Sequence, residues 1–149
     1  MKKALLLAAG ILASSHAVAS NRQQALEMKH FSQSVVAEIN SILASGDFDD
    51  SFTDSNMYDA KVRSKLSSAR DDIYNAGDAF DDSAIAFDNG NFVRGDDYYE
   101  TGCTDLSFAN LSIGEGALAA VRGDTFRPSS SRIRRLNDRV DRSYNDKCR

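Results

Sequence analysis

Two cysteines, Cys103 and Cys148, limit the fold of this chain more than any other feature. They stand about equally far on either side of a turn-forming stretch, Gly123-Asp124-Thr125-Phe126-Arg127-Pro128-Ser129. Helices folded antiparallel about that stretch bring the two sulfurs level. The apolar residues keep the same register. One arm carries Cys103, Leu106, Ile113, Ala117 and Ala120, and the other carries Ile133, Leu136, Val140, Tyr144 and Cys148. Both rows advance by threes, fours or sevens, the spacing of a buried helix seam. The pattern predicts a helical hairpin with Leu106 near Tyr144 and Ala117 near Ile133, closed at its open end by a disulfide.

A stable disulfide requires an oxidising compartment, and the N-terminus supplies a route to one. Lys2 and Lys3 precede an apolar run from Ala4 to Ala13, followed by the small-residue site Ala17-Val18-Ala19. This is the layout of a secretory signal peptide over residues 1–19, cleaved before Ser20, with residues 20–149 left as one domain. The apolar run falls short of the ~20 residues a membrane span needs. No later segment is long enough either, so no membrane span is expected after cleavage and the mature chain is placed in the periplasm or outside the cell. Cys103 and Cys148 enclose a long loop, worth about 4 kcal/mol of unfolded-state entropy. That is large beside the roughly 5–15 kcal/mol of a whole domain. A redox-active pair would more often be spaced Cys-x-x-Cys.

Two further helices precede the hairpin. Met28, Phe31, Val35, Ile39 and Ile42 form a stripe over about residues 22–44, which Gly46 ends. A polar, Asp-rich loop with Phe48 and Phe52 follows. Over about residues 58–88, Val62, Leu66, Ala69, Ile73, Ala76, Phe80, Ala84 and Phe87 keep one helical phase through Gly77, which predicts a single amphipathic helix. Asp88-Asn89-Gly90-Asn91 reads as a stop, Asp96 or Asp97 as the cap of the third helix, and Gly123 as its end. The fourth helix starts near Pro128, where the missing N–H costs least. No segment alternates as a strand does. The fold expected is all-α, an up-down-up-down four-helix bundle with one disulfide.

Charge divides along the chain. Residues 127–149 hold eight basic and three acidic side chains, whereas residues 20–126 hold eight basic and nineteen acidic. An exported, net-acidic chain is ill suited to nucleic acid. Asp71, Asp78 and Asp82 fall opposite the seam of the second helix, and Arg135, Arg139, Arg142 and Arg149 opposite that of the fourth. These rows are solvated faces or binding surfaces for a partner of opposite charge.

Metal chemistry has weak candidates. Glu27 and His30 make one Glu-x-x-His step, where di-iron bundles use two. Asp47 and Asp49 open like a calcium loop, but Phe52 and Tyr58 stand where it needs Gly and Glu. Met28 would suit haem ligation, yet the C-terminal turn offers no His. No cofactor is expected. Arg-Gly-Asp occurs at 94–96 and 122–124 and reads as helix-end punctuation, with Gly turning left-handed. Ser112, Gly116 and Ala120, beside Gly114, mark a close helix approach within the chain or to a second copy, so a homodimer is possible. No nucleophile–base pair or phosphate loop is present. Glu100 or Glu115 beside an Asp would be the only route to a small envelope hydrolase. The expected function is non-enzymatic protein–protein binding to another envelope or exported protein, in an inhibitor, immunity, adaptor or chaperone role. A metal- or cofactor-carrying bundle is the alternative.

Overall fold

The computed structural model describes residues 2–48, 56–123 and 128–149, with side chains from residue 19 onward except at Asn56. They form four helices: α1 (Lys2–Leu43), α2 (Asn56–Asp88), α3 (Phe92–Arg122) and α4 (Pro128–Lys147). Among the described residues there is no strand. None of the helices described is long and apolar enough to cross a membrane. The α1 helix runs without a break from the leader-like segment into the bundle, and among the described side chains its ion pairs with the other helices begin at Arg22.

Each helix packs against its neighbours in the opposite sense. Along α1 and α2, Arg22 pairs with Asp88 at 2.6 Å, Lys29 with Asp81 at 2.8 Å, and Ser32 lies against Gly77. Between α2 and α3, Ser83 Oγ donates to the Gly95 carbonyl at 2.8 Å, the Phe80 ring lies on Gly102, and Lys65 pairs with Glu115. Between α3 and α4, Cys103 is bonded to Cys148, with Cα atoms 5.5 Å apart, and Asn110 Nδ2 donates to Asp141 at 3.1 Å. Between α4 and α1, Lys147 lies 3.6 Å from Glu27, Arg139 lies 3.1 Å from Glu38, and Arg132 donates to Ser41. Rising numbers on one helix always meet falling numbers on the next, which is the up-down-up-down arrangement.

The core is built from the predicted seams. Met28, Val35, Ile39, Ile42, every residue of the α2 stripe, Cys103, Leu106, Ile113, Ala120, Ile133, Leu136 and Val140 are all buried. Phe31, Ala117, Tyr144 and Cys148 pack against this core while partly exposed. Phe48 folds back into it from the segment after α1. Phe52 lies outside the described residues. The α2 helix is continuous through Gly77, whose missing side chain admits Ser32: a Cβ there would stand 3.3 Å from the serine Cβ.

The helix ends differ in part from expectation. Gly46 and Gly90 adopt the left-handed conformation, at φ 75° and 73°. At the second of these, Asn91 N–H donates to the Ala86 carbonyl and Gly90 N–H to Phe87, a Schellman closure that satisfies the last carbonyls of α2. Asn91 itself caps α3, its side chain accepting from the Arg94 N–H at 3.3 Å. Asp96 and Asp97 are therefore inside the first turns and not at the cap. Gly95 is helical and buried, because a Cβ there would stand 2.7 Å from the Phe87 ring. Gly123 ends α3 with φ −67°, not left-handed. The Arg-Gly-Asp copies thus differ: 94–96 lies within a helix, and Asp124 of the second lies outside the described residues. Gly116 meets Lys65 and Leu66 of α2, and Gly114 meets Asn137 of α4, so the small residues of α3 serve packing inside the chain.

Candidate interaction faces

The outward face of α2 carries the acidic row. Asp71, Asp78 and Asp82 are all exposed, and among the described residues only Asp71 has an ionic partner, Arg70 at 2.9 Å. Two large side chains stand among these carboxylates that the seam-based reading passed over: Tyr74 is 61% exposed and Ile85 51%. Both lie on the acid side of the helix, out of phase with the seam. Next to Tyr74 and Asp78, a groove of about 250 Å³ opens between α1 and α2. Val36 and Ile73 give it apolar walls, and Lys29 and Gln33 close its α1 side. Ser32, which also lines the groove, is buried, and its hydroxyl has no hydrogen-bond partner among the described residues.

The arginine row of α4 is divided. Arg135 and Arg142 face solvent, with Arg142 Nε donating to the Asp138 main-chain oxygen at 3.1 Å. Arg139 is half-buried at the junction with α1, where it pairs with Glu38 and stands 5.8 Å from the Phe31 ring centroid. Arg149 lies over Tyr144. Arg139 is thus an interhelical tie and no longer part of a free basic row. This follows from α4 turning that edge towards α1.

The metal candidates are dispersed. His30 is exposed and its Nδ1 lies 3.4 Å from Gln33 Oε1. Glu27 faces Lys147 and accepts from Gln23. Asp47 accepts a 2.9 Å hydrogen bond from the Ser129 N–H, so its carboxylate caps the start of α4. Asp49 lies outside the described residues. Among the described residues no three His, Cys, Asp or Glu side chains converge as a metal site would require. Met28 is buried in the core.

Other carboxylates are also in structural use. Hydrogen bonding to Lys65 holds Glu115 below its usual pKa, and its shallow pocket contains no Asp. Burial lifts the carboxyl of Asp72 above the usual range, and Asp105 across on α3 and the adjacent Asp71 push it the same way. Burial likewise raises Asp105. At the disulfide end, the Tyr99 hydroxyl accepts from Gln24 at 2.8 Å and donates to the Lys147 carbonyl at 3.1 Å, joining α1, α3 and α4. Burial, partly offset by the Gln24 hydrogen bond, raises its pKa and keeps it a neutral donor.

A second outward face lies on α3. Phe108, Leu111 and Leu118 are 55%, 65% and 50% exposed. They point away from the seam that buries Leu106, Ile113 and Ala120. Comparison with known proteins returned no match to a family model, a curated protein or a solved structure.

Proposed function

We propose that the protein is an exported, non-enzymatic binding protein whose acidic α2 face receives a basic surface of another envelope or exported protein. Residues 1–19 act as its secretory leader, cleaved before Ser20. The observation that carries this reading is the grouping of Tyr74 and Ile85, both exposed, with Asp78 and Asp82, which form no ion pair among the described residues, beside an apolar groove. Interface hot spots combine an aromatic anchor with complementary charge around a pocket. A lysine or arginine of the partner fits these features. Its aliphatic stem lies along Val36 and Ile73, its cation meets Asp78, and the ring of Tyr74 covers it. The disulfide and the Tyr99 tie hold the helices so that the face is presented without a large ordering cost.

The test is complementation of a deletion strain with the variant Tyr74→Ala, Asp78→Asn, Asp82→Asn. All three positions are exposed, so circular dichroism should show an unchanged fold. The variant is expected to fail to restore the deletion phenotype. Full restoration would reject the α2 face as the functional surface.

A further inference from the structure

The outward face of α3 has a pattern that matches itself when reversed. At 100° per residue, Glu100, Thr104, Leu118 and Arg122 all fall within about 20° of the direction of Leu111. Thr104, Leu111 and Leu118 recur every seven residues, the repeat of a helix-pairing seam. Phe108 flanks this line. Glu100 and Arg122 lie equally far from Leu111 on its two sides, both are exposed, and neither forms an ion pair among the described residues. A second α3 laid antiparallel over the first, with Leu111 on the two-fold axis, sets Leu118 against Thr104 and Arg122 against Glu100 of the copy. Such an interface is isologous, so each charge pair occurs twice. Antiparallel helices also place opposite macrodipole ends side by side.

We infer that the α3 face is the dimerisation surface of this protein, its occupant being a second copy paired antiparallel about Leu111. The charge complementarity of Glu100 with Arg122 favours this occupant, and it fixes the register. The overlap from residue 100 to 122 runs about 33 Å along the helix. That is a narrow contact beside the ~800 Å² per partner of a standard interface, and it makes a reversible dimer. The inference is independent of the α2 face, none of whose residues it uses.

Sedimentation velocity on the exported, disulfide-bonded protein, over a range of micromolar concentrations, tests it. The wild type should sediment as a monomer–dimer equilibrium. Leu111→Lys should leave only monomer with an unchanged circular dichroism spectrum, since Leu111 is exposed and outside the core. E100R alone and R122E alone should each weaken the dimer about tenfold or more by bringing like charges together. The double variant E100R/R122E should restore it. A wild type that is monomeric throughout would overturn the inference, as would a dimer indifferent to Leu111→Lys. A double reversal no tighter than the single ones would overturn the antiparallel register. A monomer that binds anionic vesicles through Leu111 would assign the face to a lipid surface instead.

Discussion

Single residues in this bundle are set by contacts that cross from one helix to the next. The α3 glycines show this most plainly. A Cβ on Gly102 would stand 2.8 Å from the Phe80 ring, whereas a Cβ on Gly114 would meet only Asn137 Oδ1 at 3.4 Å. Gly102→Ala should therefore destabilise by about 1–3 kcal/mol through overpacking, exceeding the roughly 1 kcal/mol that alanine gains in a helix. Gly114→Ala should be neutral or stabilising by up to about 1 kcal/mol. Urea unfolding of both variants checks the contrast; equal effects would contradict it. Asp72 gives a pH dependence. Its folded pKa lies above the unfolded value of 3.8, so the native state takes up protons more readily and loses stability as pH rises through the raised value. Asp72→Asn should then raise the melting temperature at neutral pH, and the gain should vanish as pH falls towards 3.8. A gain that persists unchanged in acid would exclude this origin. None of this was legible in the sequence. Which ring lies on which glycine, and which acids face each other, depends on the axial register of α2 against α3.

At the scale of elements, the sequence was far more informative. The α2 stripe was readable because eight apolar residues hold one phase across Gly77, and every one of them is buried. The hairpin of α3 and α4 was readable because both cysteines lie on its seams. Asp96 and Asp97 have the chemistry of caps, but the Gly90 turn is followed at once by the new helix, which leaves Asn91 as the cap of α3. Asp47 was readable only as a possible metal ligand. Its role at the start of α4 joins residues far apart in sequence, and no local pattern encodes that. Asp47→Ala should cost about 1 kcal/mol, the usual loss of a helix cap, seen as a fall of about 4 °C in melting temperature. Chelators should not change the melting temperature of the wild type. A chelator-sensitive melt that Asp47→Ala abolishes would return Asp47 to metal binding. The outward residues of α2 and α3 were in plain view as apolar side chains out of phase with their seams. A reading directed at the core passes over such residues.

For the whole molecule, the cross-helix ties gather at the two ends of the bundle. The disulfide and the Tyr99 cluster fasten one end, where α1, α3 and α4 meet. The Asp47 cap and the Ser45–Ser129 contact join α1 to α4 at the other. The surface ion pairs along the sides, such as Lys29 with Asp81, each contribute little. The proposed recognition surfaces are the outward faces: acid and aromatic on α2, and apolar on α3 with Glu100 and Arg122 at equal distances from Leu111. The measurement that tests the central claim most directly is native mass spectrometry of the protein isolated from its own envelope fraction, wild type beside the Tyr74→Ala, Asp78→Asn, Asp82→Asn variant. The account predicts a chain beginning at Ser20, two hydrogens lighter than its reduced form. It also predicts a second, different polypeptide bound to the wild type and lost from the variant. A variant that keeps that polypeptide, or a wild type carrying a metal or cofactor and no protein partner, would contradict it.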